Sequence, residues 1–344
     1  MDQKLRIAQV APLWIPVPPI TYGGTELVIA NLADGLVAKG HDVTLYASGD
    51  SKTKARLVPA WEKSLWRAHL ASPHAVIGWQ MGGVVEDAAN FDVIHNHAEF
   101  YLAPFSKFMN HPVVSTIHRP IDVATRRLFK RYAEWNRYVA VSYDQMNSVP
   151  DIEFAKVIYN GIDVARYAYN EHPQDYLLWL SKIEPEKGVL EAIEVARRAK
   201  EKLVIAGNIV AEESGRFFQY EVLPKLDGDQ INYVGQVNFE RKVELFKNAK
   251  ALICPISRRE PFGLVIVEAM ACGTPVIAYD RGAMPELIQN GRNGFVVETL
   301  EEMVAAVRAI PRLRRANCRK AVEESFTAER MVNEYEELYR TLIG

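Results

Sequence analysis

Three things are scarce in this sequence, and each scarcity excludes a class of protein. Cysteine occurs three times, at Cys254, Cys272 and Cys318, with no spacing that frames a metal site. Cys254 and Cys272 lie in apolar runs, which predicts buried free thiols and fits a reducing cytosol. An excess charge of one sign is missing: 41 Lys and Arg stand against 43 Asp and Glu, a formal net charge of −2. No global field recruits nucleic acid or an anionic membrane. No apolar stretch reaches the ~18 residues that suggest a spanning helix; the longest candidate is broken by Glu268 and Gly273. The opening MDQKLRIAQV enters a predicted strand at once, which leaves no room for a signal peptide and predicts a cytoplasmic location. Neither half carries the glycine fingerprint of a dinucleotide dehydrogenase with its downstream acidic residue.

What is present has an ordinary globular balance. The 344 residues are 49% hydrophobic and 24% charged, room for roughly two domains of ~150 residues. Strand and helix patterns alternate, which argues for a parallel α/β sheet. In the first half, strands are expected at 5–10, 43–47, 93–95, 113–117, 138–141 and 156–159, with a helix over 25–39. Asn160-Gly161-Ile162-Asp163 then makes a turn-prone break. A second series starts near Tyr176, with strands at 177–180, 203–206, 231–234, 251–255 and 275–279, and helices at 189–199 and 239–247. The seam is expected near residue 165. Ligands in doubly wound folds bind beyond the carboxyl ends of the strands, and two such halves would share a central cleft.

The densest chemistry lies in 259–280, REPFGLVIVEAMACGTPVIAYD. Glu260 and Glu268 sit eight apart, separated by the turn Pro261-Phe262-Gly263 and the first turn of a helix that ends at Gly273. A loop opening into a helix presents unpaired N–H groups and a positive dipole to an anion. Flanking carboxylates can accept hydrogen bonds from sugar hydroxyls. Phosphate-binding groups beside hydroxyl acceptors suit a nucleotide sugar. A plain surface pair of glutamates is the alternative, but the neighbours of Glu268 are Val265, Ile266, Val267, Ala269 and Met270. A glutamate in that setting must be paired or bound.

Further candidates stand on loops. Ser181-Lys182-Ile183-Glu184-Pro185-Glu186-Lys187-Gly188 follows a strand and precedes a helix, so Lys182 and Lys187 can meet a pyrophosphate; a solvated turn is the alternative. Tyr22-Gly23-Gly24-Thr25-Glu26 opens the first helix, with Thr25 as its expected cap and two glycines that permit close backbone approach. His95, His97 and His118 fall at strand ends; His-x-His could ligate zinc, but no third ligand is evident. Gly207-Asn208 and Gly235-Gln236-Val237 end strands in the second half. Arg126, Arg127, Lys130 and Arg131, with Phe129 and Trp135 nearby, could make weak peripheral membrane contact or hold a phosphorylated acceptor, although a solvated helix face is the plainer reading. Trp14, Trp61, Trp66 and Trp79 suit either a flat acceptor or a core.

The run Glu-Pro-Phe-Gly-Leu, followed by Glu-Ala-Met-Ala-Cys-Gly-Thr-Pro-Val-Ile-Ala, resembles the Glu-x7-Glu signature of family-4 retaining glycosyltransferases, and the similarity extends over nearly the whole chain. The resemblance implies an α/β protein of the GT-B fold: two Rossmann-like doubly wound domains facing a central cleft. Residues 1–165 would form the acceptor domain, residues 166–326 the donor domain, and a last helix from about 327 to 344 would cross back onto the first. By the same resemblance Glu260 contacts donor-sugar hydroxyls, and Glu268 the ribose. The backbone at Gly263 and Leu264, next to Phe262, meets the diphosphate. His118 meets the sugar near the reaction centre, Lys182 and Lys187 stabilise the leaving group, and Gly207, Gly235, Val237 and Asn160 border the donor. Gly23, Gly24, Thr25 and His97 would lie on the acceptor or phosphate side. The family usually reads Gly-Arg-x-x-x-Glu-Lys-Gly where this chain has Ser181 and Lys182, and lysine cannot make the bidentate fork of arginine.

The implied activity is retaining transfer of a sugar from a nucleoside-diphosphate sugar, UDP-glucose first and GDP-mannose next, to an acceptor hydroxyl, with no cofactor and no metal. Another GT-B enzyme, such as a nucleotide-sugar epimerase or phosphorylase, or a catalytically weak sugar-nucleotide-binding protein, is the alternative.

Overall fold

The computed structural model describes residues 3–209 and 212–344. It contains two compact units: the chain up to Ile162 together with Ala328–Gly344, and Asp163–Thr327.

The first unit is built on seven parallel strands: β1 (Arg6–Val10), β2 (Asp42–Ala47), β3 (Arg56–Pro59), β4 (Val93–Asn96), β5 (Val113–Ile117), β6 (Asn136–Ala140) and β7 (Phe154–Val157). Their order is β3-β2-β1-β4-β5-β6-β7, so the direction of winding reverses between β1 and β4. The central strands β4 and β5 are wholly buried, apolar at their starts and carrying the buried polar residues His95, Asn96, Ser115 and Thr116 further along. β3 was not expected from sequence. It is a half-exposed edge strand with only the short apolar stretch Leu57-Val58 to reveal it. The helix Gly24–Ala38 begins one residue earlier than its pattern suggests. Thr25 is not its cap: Gly23 holds that position, at φ 153°, and no side chain caps the helix.

The last helix, Ala328–Ile343, returns to this unit and packs against Gly24–Ala38. Gly35 makes the approach possible, because a Cβ there would lie 2.5 Å from Val332 Cγ2. Lys39 and Glu336 pair across the same contact.

The second unit carries six parallel strands: β8 (Leu177–Leu180), β9 (Leu203–Ala206), β10 (Ile231–Tyr233), β11 (Ala251–Cys254), β12 (Val276–Tyr279) and β13 (Gly294–Val297). Their order is β10-β9-β8-β11-β12-β13, with the reversal between β8 and β11. β13, also half-buried and at an edge, was likewise missed by the sequence pattern. Trp179, Ile193, Ile253 and Ile277 centre the core beneath this sheet.

Candidate active site

In the second unit the candidate residues sit on loops at the carboxyl ends of β8, β9, β10 and β11. The 181–188 loop is fixed at both ends. Ser181 N–H donates to Ala206 O at 3.3 Å, and Trp179 Nε1 donates to Lys187 O at 3.1 Å. Gly188, at φ 76°, closes against Pro255, whose carbonyl would lie 2.1 Å from any Cβ. Ser257 N–H donates to Glu186 O at 3.1 Å, and Arg258 Nη1 to Glu186 Oε1 at 3.0 Å. These bonds tie the loop after β8 to the loop after β11.

Across that junction Lys187 Nζ donates to Glu260 Oε2 at 2.6 Å. The Lys187 side chain is 9% exposed and that of Glu260 20%, so this is a largely desolvated pair. The Glu260 backbone is held by Ala283, whose N–H donates to Glu260 O at 3.0 Å. Gly282, at φ 68°, lies so close that a Cβ would meet Glu260 O at 2.2 Å. Lys182 is half-buried on the same loop as Lys187.

Gly263, left-handed at φ 92°, turns the chain into the helix Leu264–Ala271, which has no side-chain cap. Ile266 N–H donates to Gly263 O at 2.9 Å, and the N–H groups of Leu264 and Val265 before it have no N-cap side chain to accept from them. Leu264 and Val265 are half-buried beside it. Phe262 packs edge-on against Phe326, ring centroids 6.0 Å apart, and is 3% exposed. Its ring belongs to the core, leaving only its backbone for a ligand.

Glu268 is 4% exposed. Its Oε1 accepts from Tyr167 Oη at 2.7 Å and from Lys242 Nζ at 2.5 Å. The burial that its apolar neighbours demanded is met by these two donors, neither of which the sequence singled out. Lys242, in the helix Phe239–Asn248, reads as one more surface lysine beside Arg241 and Lys247. Glu268 Oε2 makes no hydrogen bond to a described residue.

Gly207 N–H donates to Gly235 O at 3.0 Å, joining the ends of β9 and β10. A Cβ on Gly207 would stand 2.1 Å from Ser181 O, so packing alone demands glycine there. Val237 follows, half-buried.

In the first unit, His118 follows β5 and is half-buried. Its Nε2 lies 2.9 Å from Nδ1 of His97. Burial pushes the His118 imidazole down to about 4. His97 is 0% exposed, with its other nitrogen 2.8 Å from Gln9 Oε1. Both its ring nitrogens are committed to protein, which leaves neither for a ligand and makes His97 a support for His118. His95, also buried, is bonded to Tyr339 and Thr116. Burial, then neighbouring imidazoles, holds His95 and His97 well below the ordinary histidine range. Gly23 is buried, and a Cβ would meet Glu26 Oε2 and Pro19 Cβ, each at 2.7 Å. Gly24 and Thr25 are half-buried. Asn160 is 8% exposed, and its Oδ1 has no partner among the described residues.

Other candidates resolve more simply. Arg126 and Lys130 both pair with Asp151, at 2.6 and 3.3 Å, and Phe129 is buried, which leaves Arg127, Arg131 and the exposed Trp135 of the basic patch. Trp61, Trp66 and Trp79 are exposed, not core, and Trp14 lines a shallow recess with Gln80, Glu99 and Tyr101. All three cysteines are free and buried, and burial raises each thiol to about 12. Among the described residues no three His, Cys, Asp or Glu side chains are grouped to hold a metal ion, and no helix is long and apolar enough to cross a membrane.

Known proteins share this organisation. Residues 166–325 match the family described as "Glycosyl transferases group 1", and residues 22–166 match "Glycosyltransferase Family 4". A glycogen synthase of Mycobacterium tuberculosis is 26% identical over 85% of this chain and 83% of its own. The sucrose-phosphate synthase of Thermosynechococcus elongatus superposes with a TM-score of 0.83 at 19% identity, covering 98% of this chain and 99% of that one. The Anabaena protein Alr3699/HepE, solved with UDP-glucose, superposes with a TM-score of 0.78 at 18% identity over 98% of this chain and all of its own, 100%.

Proposed function

Since the chain belongs to the group 1, family-4 glycosyltransferases of GT-B fold, we propose that it is a retaining transferase moving a hexose from a UDP-sugar, UDP-glucose first, to an acceptor hydroxyl. The observation that carries this reading is the juxtaposition, in one unit, of an uncapped helix entry at Gly263, the Lys187–Glu260 pair and the buried Glu268. Amides and an ammonium group suit a diphosphate, and carboxylates suit sugar hydroxyls. UDP-glucose leads over GDP-mannose because HepE, of the same fold, was solved with it.

In this reading the helix entry at Gly263, with Lys187 and Lys182, takes up the charge that develops on the leaving diphosphate. Glu260 and His118 orient the transferred sugar. Glu268 accepts from the ribose through Oε2, its Oε1 being held by Lys242 and Tyr167. The glycosidic C–O bond to phosphate breaks, and the acceptor oxygen bonds to the same face of the anomeric carbon. The acceptor proton passes to the departing phosphate oxygen. Protein cations and helix dipole serve where other enzymes use a divalent metal. Three buried free thiols support a cytoplasmic site of action.

The test is a thermal-shift panel of UDP, GDP, ADP and their sugars. A ligand at 100 times its Kd stabilises the folded state by ~2.7 kcal/mol, so UDP and UDP-glucose are expected to raise the melting temperature most. Nucleoside diphosphate released only with acceptor present separates transfer from epimerisation, phosphorolysis or simple binding. No stabilisation by any nucleotide overturns the proposal.

A further inference from the structure

Beneath His118 the first unit contains a continuous line of hydrogen bonds that neither its fold nor the proposed reaction explains. His118 Nε2 lies 2.9 Å from His97 Nδ1, and His97 Nε2 lies 2.8 Å from Gln9 Oε1. Gln9 Nε2 lies 3.2 Å from Tyr339 Oη, and Tyr339 Oη lies 2.6 Å from His95 Nδ1. His95 Nε2 lies 2.7 Å from Thr116 Oγ1, which lies 2.8 Å from Tyr335 Oη. Every ring in the line below His118 is buried. With neutral imidazoles, each ring offers one donor and one acceptor. The stretch from His118 through His97 to Gln9 therefore has two proton arrangements, one the reverse of the other.

The distances at Gln9 decide between them. A separation of 3.2 Å suits N–H···O but exceeds the usual O–H···O range of about 2.5–3.0 Å. The amide nitrogen therefore faces Tyr339, and the amide oxygen faces His97. His97 must then donate from Nε2 and accept at Nδ1, so His118 donates from Nε2. The Nδ1 of His118, which makes no hydrogen bond to a described residue, is left with a lone pair.

We propose that Gln9 is a positioning residue that sets, through His97, the tautomer of His118, so that His118 presents Nδ1 to the ligand as a hydrogen-bond acceptor. This rests on the reading that His118 meets the transferred sugar. A sugar hydroxyl can donate to the Nδ1 lone pair. The Ala328–Ile343 helix takes part, because Tyr339 Oη accepts the Gln9 amide that fixes the direction.

Histidine-selective ¹⁵N labelling with long-range ¹H–¹⁵N spectra reads the tautomer in the folded protein without any ligand. The wild type is expected to show His118 protonated at Nε2 and bare at Nδ1 near pH 7.5. A wild-type His118 protonated at Nδ1 overturns the inference while leaving glycosyl transfer intact. Gln9→Glu supplies the second reading. Its carboxylate cannot donate to Tyr339 and favours a doubly protonated His97, so the bond from His97 to His118 reverses and His118 Nδ1 gains the proton. The kcat/KM for UDP-glucose is then expected to fall at least ~5-fold, the scale of one redirected hydrogen bond. If Nδ1 gains the proton and kcat/KM does not change, the acceptor role of Nδ1 is wrong. If Gln9→Glu does not fold, the wild-type spectrum still decides the tautomer. A wild type that turns over no sugar nucleotide refutes the transferase reading, and with it the role of Nδ1 toward the sugar, whatever the spectrum shows.

Discussion

Lys187→Ala separates the ion pair that the structure shows for this ammonium group from the catalytic role proposed for it. In the free protein Lys187 Nζ neutralises Glu260 at 2.6 Å, with 9% and 20% of the two side chains exposed. In the proposed reaction the same group stabilises a departing diphosphate. The ion pair predicts a stability cost. Removing one partner of a fully buried pair costs ~3–5 kcal/mol, and the one-fifth exposure of Glu260 lets water recover part of it, leaving about 1–3 kcal/mol. For a unit of this size that lowers the melting temperature by roughly 2–4 °C per kcal/mol. The catalytic role predicts a turnover at least ~10-fold lower, or ~1.4 kcal/mol of lost transition-state stabilisation.

A double-mutant cycle with Glu260→Gln tells them apart. Glutamine keeps an acceptor for sugar hydroxyls but carries no charge. In that background the stability cost of Lys187→Ala is expected to shrink toward ~1 kcal/mol, that of an ordinary hydrogen bond. The turnover loss should persist, because the diphosphate still lacks its cation. Melting curves and the rate of nucleoside-diphosphate release measure the two quantities on the same samples. A folded Lys187→Ala protein turning over within about twofold of wild type removes Lys187 from the mechanism, since the smallest effect argued for such a group is ~10-fold. Full recovery of turnover in the double variant would reduce Lys187 to a neutraliser of Glu260.

Other consequences are direct. Tyr167→Phe deletes a hydrogen bond to the buried Glu268 carboxylate and is expected to cost ~1.5–3 kcal/mol in urea unfolding; a change under 0.5 kcal/mol would contradict the pairing. Gly282→Ala forces a Cβ onto the Glu260 carbonyl, 2.2 Å away, at φ 68°, so it should lower turnover more than Gly291→Ala, where a Cβ meets nothing within 4 Å; equal effects would show that the Glu260 loop tolerates displacement. Activity is expected to survive EDTA unchanged, and loss that magnesium or manganese restores would overturn the metal-free reading. His95, His97 and His118 all titrate below their ordinary value in the folded state, His118 at about 4, so the unfolded chain binds their protons first. Stability is then complete above about pH 6.5 and falls as pH drops toward 4, by up to ~1.4 kcal/mol per pH unit for each histidine. Unfolding free energies measured from pH 8 to 5 that stay flat would refute this.

Strands could be read in the sequence both in the buried centre and at two half-exposed edges, β7 (offset by two residues) and β10. β8 and β9 match their apolar runs residue for residue, because a strand largely covered on both faces favours an unbroken run, and β5 matches its expected bounds although Ser115 and Thr116 interrupt its apolar pattern. β3 and β13 lie at sheet edges with half-exposed residues, and their apolar stretches, Leu57-Val58 and Phe295-Val296-Val297, are short. Thr25 misled because a hydroxyl near a helix start usually caps it, whereas Gly23 takes that place with a backbone angle only glycine adopts readily.

The site divides along the same line between local and distant determinants. The need for a partner at Glu268 could be inferred from its apolar neighbours, since an unpaired buried carboxylate is not tolerated. The partners could not, because Lys242 lies 26 residues away and Tyr167 101. His118 could be placed at a strand end from the run before it. Which of its nitrogens holds the proton depends on Gln9, on another strand, and on Tyr339, 330 residues beyond Gln9. Local sequence therefore fixes where a reactive group stands, while its charge state and hydrogen-bonding sense are set by residues that only the fold brings near. For this chain the distant ones, Lys242 at Glu268 and Gln9 beneath His118, are where substitutions should alter chemistry without touching the signature itself.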